Sequence, residues 1–337
     1  MSTTVEGLAI TREREREAFH GRCDPIAHLL ADPTITDISL NEPRTAGEPG
    51  PVYVCVIGRG NVDSGVRLSA AQGDLIVRAF IAGARAAGES SSRLEWNQSH
   101  PRISCQTLAG EYRIEAACAP ATRFAPIFTV RKYVKRGRRI ADYVREKQIA
   151  PDVAAALVSV LRDGESMVIA GATGSGKTTL TNALLLELGQ DATKRILTIE
   201  DQPELERPND ASVQLIVGPN LPYSEAVKSA LRHNPDYIVL GEIRDKAQAV
   251  EAVTAWDSDH AGIATMHVGS VERIPKKLLR FCRSMGDSIS EEEVVGLVHV
   301  FVRVTKVAGR WVFDCRRLVG WDADAKRFVF EPLGKAK

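Results

Sequence analysis

At 337 residues, with 44 basic and 43 acidic side chains and a formal net charge of +1, the chain is long enough for two cores and too evenly charged for a general nucleic-acid coat. No apolar run reaches the roughly 18 residues that a membrane span needs, and Arg12-Glu-Arg-Glu-Arg-Glu17 stands where a secretory leader would carry its apolar core. The six cysteines, at 23, 55, 105, 118, 282 and 315, include no C-x-x-C pair; they read as scattered reduced thiols of a cytosolic chain, not a zinc site or disulfide frame.

A helix is expected over 11–30, with the alternating charges of 12–17 on a solvated face. Ile35-Thr-Asp-Ile-Ser-Leu40 alternates as a strand does and is closed by Asn41-Glu-Pro43. Strands are expected at 51–57 and 62–68, with a turn at Gly58 to Gly60 between them. Ser69 can cap a helix running to about Ala87, with Leu75, Ile76, Ala79 and Phe80 on its inner face. Strand-like segments follow at 102–107, 111–117 and 127–134, so 1–130 reads as an α+β domain with a mostly antiparallel sheet. The sharpest composition shift, Arg131-Lys-Tyr-Val-Lys-Arg-Gly-Arg-Arg139, reads as a linker over 131–140. Its single aromatic residue, Tyr133, makes a linker the better reading than a nucleic-acid contact.

Residues 141–337 form the second domain. Helices at 151–163, 177–188, 224–233, 246–257 and 270–284 alternate with strands at 166–170, 195–200, 212–217, 237–241 and 262–266. That order is a doubly wound α/β domain, a mostly parallel sheet with helices on both faces. Residues 290–337 end in strand-like stretches at 298–307 and 310–313.

Gly171-Ala172-Thr173-Gly174-Ser175-Gly176-Lys177-Thr178 fits G-x-x-x-x-G-K-[ST] and lies between the apolar run Ser166-Met-Val-Ile-Ala170 and a helix. The glycines let the backbone curl so that N–H groups face phosphate oxygens, and the helix N-terminus adds its positive end. Lys177 then reaches the β- and γ-phosphates, and the Thr178 hydroxyl helps hold Mg²⁺. A nucleoside triphosphate is the expected ligand. No N-K-x-D follows, so guanine selectivity is unsupported, and Leu68-Ser-Ala-Ala-Gln72 lacks the glycines of a transporter signature.

In such a sheet the ligand lies at the carboxyl ends of the strands. Strand 195–200 ends in Glu200-Asp201, which would supply part of the Mg²⁺ shell. Tyr237-Ile-Val-Leu240 ends in Gly241-Glu242, where a supporting aspartate is usual; Glu242 is the candidate for polarising the attacking water. Glu200 is the alternative base. His267 closes strand 262–266 and suits γ-phosphate sensing. Arg113, Arg131, Arg232 and Arg244 can each reach phosphates through their planar forks.

Four ordered segments carry a family resemblance: Gly-Ala-Thr-Gly-Ser-Gly-Lys-Thr-Thr179 (171–179), Ile-Leu-Thr-Ile-Glu-Asp-Gln-Pro-Glu-Leu (196–205), Leu-Arg-His-Asn-Pro-Asp-Tyr-Ile-Val-Leu-Gly-Glu-Ile-Arg-Asp (231–245) and His-Ala-Gly-Ile-Ala-Thr-Met-His (260–267). They resemble the Walker A, Asp box, Walker B and His box of the type II/type IV secretion (traffic) ATPases. The likeness continues upstream through 32–41, 112–115 and 129–132 and spans roughly 24–315. The family's own Walker B carries Gly-Glu. Length and the missing C-x-x-C pairs turn the comparison from the zinc-containing members toward the type IV secretion and conjugal-transfer branch; Asp257-Ser-Asp-His260-Ala-Gly262 departs from that branch's pattern.

The resemblance implies a RecA-like P-loop domain, ATP with Mg²⁺, and a homohexamer on the cytoplasmic face of the inner membrane beside other secretion components. It also implies an N-terminal domain that brings Arg113 and Arg131 over ATP, and Thr179 within the nucleotide loop. Three other readings stand beside it: a pilus-retraction motor, disfavoured by the strand-like tail; a nucleic-acid-binding protein with a nucleotide-dependent switch; and a nucleotide-binding scaffold without turnover.

Overall fold

The computed structural model describes residues 5–334 apart from 58, 87–93, 108–110, 133–136, 219, 259, 287 and 308–309, with side chains described from residue 14 onward. The chain falls into two compact units, Met1–Lys135 and Arg136–Lys337.

In the first unit, α1 (Val5–Arg22) is followed by one 3₁₀ turn at Asp24–Ile26 and by α2 (Ala27–Ala31). The helix expected over 11–30 is therefore broken. Pro25 has no N–H to donate, so it opens a new turn instead of extending the old helix. Six strands follow, with one long helix, α3 (Ala70–Ala86), among them: β1 (Ile35–Leu40), β2 (Gly50–Val56), β3 (Gly60–Leu68), β4 (Arg102–Thr107), β5 (Tyr112–Ala117) and β6 (Ile127–Lys132). They form one sheet in the order β3-β2-β1-β6-β5-β4, antiparallel at every pairing. Ile38, Leu40, Val52, Ile114 and Val130 alternate onto the face buried with Ile76, Val77 and Phe80 of α3. Leu75, expected inside, is 62% exposed. It lies one position off the stripe, about 100° around the helix. The Gly58 turn, the helix end at Ala87 and positions 133–134 of the last strand lie outside the described residues.

The second unit opens with α4 (Ile140–Arg145) and α5 (Pro151–Arg162), then β7 (Met167–Ala170), α6 (Lys177–Leu188), β8 (Ile196–Glu200) and β9 (Val213–Ile216). It continues with α7 (Tyr223–Leu231), β10 (Tyr237–Ile243), α8 (Lys246–Asp257), β11 (Ala261–Met266), α9 (Arg273–Arg283) and α10 (Glu291–Leu297). A hairpin pair closes it: β12 (Val300–Val307), β13 (Arg310–Asp322) and β14 (Arg327–Pro332). The eight strands run in the order β14-β13-β12-β7-β11-β10-β8-β9. From β12 to β9 every pairing is parallel, and the two hairpin pairings are antiparallel.

Parallel strands need crossovers, and the crossover helices cover both faces. Alternate residues of one strand therefore enter different cores. Val168 and Ala170 pack with Leu240, Ala252 and Leu278 on one side. Met167 and Ile169 pack with Leu157, Leu180 and Leu184 on the other. Helices α4 and α10 are at most seven residues long, too short for a helical period to declare itself in the sequence. Among the described residues no helix is long and apolar enough to cross a membrane.

Candidate active site

Strand β7 is buried at all four positions and delivers Gly171 to the carboxyl edge of the sheet. Gly174 and Gly176 take φ of +70° and +102°, where a side chain would be strained. At Gly176 a Cβ would also lie 2.6 Å from Trp311 Nε1. Ala172, Thr173 and Gly174 are exposed and Ser175 is buried. Helix α6 begins at Lys177, so its first-turn amides have no acceptor inside the helix and are free to meet an anion.

Lys177 is buried, and its Nζ donates to Gly171 O at 3.1 Å and Ala172 O at 3.3 Å. Burial lowers its pKa, and the nearby carboxylates of Glu242 and Glu204 oppose that shift. The ammonium therefore stands inside the loop as a poorly solvated cation, ready to exchange carbonyls for phosphate oxygens.

Parallel register puts three strand ends side by side. Ala170 pairs with Met266, and Leu240 with Ala264. His267 and Glu242 consequently meet beside the loop: His267 Nε2 is 2.6 Å from Glu242 Oε1, and His267 Nδ1 is 3.5 Å from Lys177 Nζ. The His267–Glu242 contact is close but not aligned as a hydrogen bond, so buried Oε1 has no hydrogen-bond donor among the described residues. A turn of the His267 ring away from that oxygen would open it to a water.

Arg244 donates from Nε to Glu242 Oε2 at 2.9 Å and also grips Asp201. Here the guanidinium holds two of the predicted carboxylates, and the pair of them raises its pKa against burial. Asp245, next in the chain, caps α8: its Oδ1 accepts from Gln248 N at 2.9 Å.

Glu200, expected as metal ligand or alternative base, is 3% exposed and has both oxygens engaged. Oε1 accepts from Glu204 N (3.0 Å) and Leu205 N (2.8 Å), and Oε2 from Gln214 Nε2 (2.7 Å). It also bears on the missing aspartate. A Cβ at Gly241 would lie 3.0 Å from Glu200 Cγ, so a side chain at 241 would require Glu200, held by its three hydrogen bonds, to give way slightly.

Burial is the largest influence on Glu200 and pushes its carboxyl up to about 7, against the opposing pull of Gln214 and the two amides. The unfolded group titrates near 4.5. Between these values the folded protein keeps a proton that the unfolded chain releases, so stability falls as pH rises through that window. Glu200→Gln keeps an acceptor for both amides, with Gln214 free to turn its own amide. It should flatten this dependence: urea midpoints at about pH 5 and about pH 8 draw together in the variant. An unchanged pH slope would show that Glu200 is not the group responsible.

Thr178 Oγ1 lies 3.3 Å from Glu204 Oε2, and Asn182 Nδ2 donates to Glu204 O at 3.0 Å. Glu204 is the carboxylate that sequence reading passed over. It sits in a loop four positions past β8, where no periodicity marks it. Among the described residues no group of three or more His, Cys, Asp or Glu is arranged to hold a metal unaided. Mg²⁺ commonly takes one or two protein oxygens and completes its shell with phosphates and water. Thr178 with Glu204 alongside fits that mode, with Asp201 on Arg244 and Glu200 occupied by its own turn.

The arginines separate. Arg232 caps the end of α7, exposed, five residues before β10 begins. That is the amino edge of the sheet, opposite the loop, so Arg232 is not brought to this site. Arg113 and Arg131 lie in the first unit as direct cross-strand neighbours on β5 and β6. Glu115 (2.6 Å from Arg113) and Asp37 (2.9 Å from Arg131) offset their repulsion. Of the expected linker residues, Arg131 and Lys132 are strand, and Lys132 Nζ is turned inward to Asp32 O at 2.6 Å.

The sequence matches the family described as "Type II/IV secretion system protein" over residues 99–306. The chain is similar to the conjugal transfer protein TrbB of Rhizobium radiobacter, at 28% identity over 301 residues and 88% of each chain. It is also similar to the type IV secretion system protein VirB11 of Bartonella henselae, at 32% over 169 residues, 46% of this chain and 44% of that one. In fold it resembles the Legionella pneumophila ATPase DotB, with a TM-score of 0.62 and 23% identity over 92% of this chain and 82% of the other. The phosphate loop, the Glu242–His267 pair and the matched stretch agree: this chain belongs to the type II/type IV secretion ATPase family.

Proposed function

We infer that this chain binds ATP with Mg²⁺ and hydrolyses it as the motor of a type IV secretion or conjugal-transfer machine. The observation that carries the reading is the connected set Glu242–His267–Lys177, drawn from two strand ends and the phosphate loop. Lys177 neutralises the β- and γ-phosphates, and Thr178 holds Mg²⁺. Glu242 orients the attacking water through Oε1 and takes its proton as the new O–P bond forms. The bond between the γ-phosphorus and the bridging oxygen breaks, leaving ADP and phosphate. His267, between Glu242 and Lys177, senses the γ-phosphate. Arg244 exchanges its carboxylates for phosphate when nucleotide enters.

The names of the relatives, conjugal transfer and type IV secretion among them, support the machine assignment. A homohexamer bound to the cytoplasmic face of the inner membrane, with N-terminal domains that swing Arg113 and Arg131 over ATP, follows from the family resemblance. The division of domains at about residues 130–140 is part of the same proposal. The basic run offers the nucleic-acid reading little, since Lys132 is buried and Arg138 is held by Glu146 and Gln148.

The test measures solution mass with and without ATP and Mg²⁺ alongside phosphate release. A hexameric mass with Mg²⁺-dependent turnover is the expected result. A monomer without turnover at any concentration would overturn the motor reading.

A further inference from the structure

The family match ends at residue 306, yet the next hairpin strand reaches back to the phosphate loop. Trp311 of β13 lies against Gly176, where an added Cβ would meet its Nε1 at 2.6 Å and its Cδ1 at 3.2 Å. The indole is not a passive filler. The Arg138 guanidinium stacks 5.1 Å from its ring and 4.2 Å from that of Tyr143. Tyr143 in turn meets Phe313 edge-on at 5.3 Å. Arg138 is fixed by Glu146 Oε2 (2.6 Å) and Gln148 Oε1 (2.9 Å). The indole is therefore backed by a rigid, half-buried assembly. Lys306, exposed, lies 5.0 Å from the same ring and can be displaced.

Sheet order decides what this ring faces. Glu242 and His267, the γ-phosphate end of the proposed site, stand on β10 and β11, on one side of β7. β12 and β13 stand on the other side. A nucleoside triphosphate lying along the loop with its γ-phosphate at Glu242 runs its nucleoside toward β12 and β13. Two loop residues lie on that side, Gly171 against Val304 of β12 and Gly176 against Trp311 of β13, and Trp311 is the aromatic surface there.

We propose that Trp311, backed by Arg138, is the seat on which the nucleobase stacks, a binding residue that this chain supplies from outside the family-matched stretch. The inference rests on the nucleotide-binding reading above. The base takes the ring position that Lys306 covers, and the released ammonium stays near the phosphates. Stacking on an aromatic side chain is tolerant of base identity, so Trp311 contributes affinity for the nucleoside and little choice among bases.

The test compares ADP with inorganic pyrophosphate, which carries the same two phosphates without a nucleoside. Each is titrated calorimetrically with Mg²⁺ into the full chain, as wild type, Trp311→Ala and Trp311→Phe. Trp311→Ala should weaken ADP about tenfold, with pyrophosphate unchanged, and Trp311→Phe should recover most of the loss. Unchanged pyrophosphate binding also shows that the loop is folded in the variant. Equal loss of ADP and pyrophosphate would make Trp311 a mere support for Gly176 and overturn the seat. So would ADP binding that ignores the substitution. A wild type that binds pyrophosphate as tightly as ADP overturns the seat while leaving the phosphate loop intact; one that binds neither overturns the nucleotide reading and the seat together.

Discussion

Glu242→Gln is expected to lower kcat by about 10²–10⁴-fold while leaving the affinity for ADP within about twofold of wild type. The substitution keeps the shape of the side chain, and the amide oxygen still accepts from Arg244 Nε, a contact of 2.9 Å in the native protein. What disappears is a negative oxygen at Oε1, the buried atom with no hydrogen-bond donor among the described residues. A water placed there loses its base, whereas the phosphates, held by the loop and Lys177, lose nothing. The checks are single-turnover phosphate release for the chemical step and calorimetry for ADP. Undiminished kcat would assign the base to another group, and Glu200 is the one to try next. Its engaged oxygens predict that Glu200→Gln leaves kcat much less affected than Glu242→Gln does.

Lys177→Ala should abolish measurable turnover and weaken ADP by about 100-fold or more. That figure follows if the ammonium replaces its two carbonyl contacts with charge-assisted bonds to phosphate, each contributing about 1.5–3 kcal/mol. The native contacts, to Gly171 O and Ala172 O, show that the side chain already lies inside the loop and reorganises little on binding. Removing the cation also takes one positive charge away from Glu242 and Glu204 near an incoming polyanion, and leaves Arg244 to offset Glu242. The effect on ADP separates this variant from Glu242→Gln, which should keep its affinity. If Lys177→Ala bound ADP normally, the loop would not be the phosphate site. A circular dichroism spectrum matching wild type guards against a folding defect, since Lys177 is buried beside the core residue Leu180.

The two variants draw on different layers of information. Gly176-Lys177-Thr178 is a local object: a short run of glycines followed by a helix dictates its own conformation, so sequence alone identified it and placed Lys177 and Thr178 in it. The parallel sheet was legible for a similar reason. Met167-Val-Ile-Ala170 and Tyr237-Ile-Val-Leu240 are unbroken apolar runs, as strands buried on both faces require. Sheet order carries no such mark. Alternating helices and strands announce the fold class without telling which strand stands next to β7, and only that order puts Glu242 and His267 on one side of the loop and Trp311 on the other.

Single-residue roles divide along the same line. The sequence by itself determined the family and the loop, and named Glu242 and His267 separately as strand-end candidates, because each of these depends on residues adjacent in the chain. Tertiary structure decided which carboxylate oxygens meet a hydrogen-bond donor and left Glu242 Oε1 without one among the described residues. It turned Glu200 into the support of its own loop, brought Glu204 to Thr178, set Arg232 at the far edge, and packed Trp311 against Gly176. Those outcomes depend on pairs up to 135 positions apart, as Gly176 and Trp311 are. Side-chain contacts at that separation follow from register and packing across the sheet, and no local spacing encodes them.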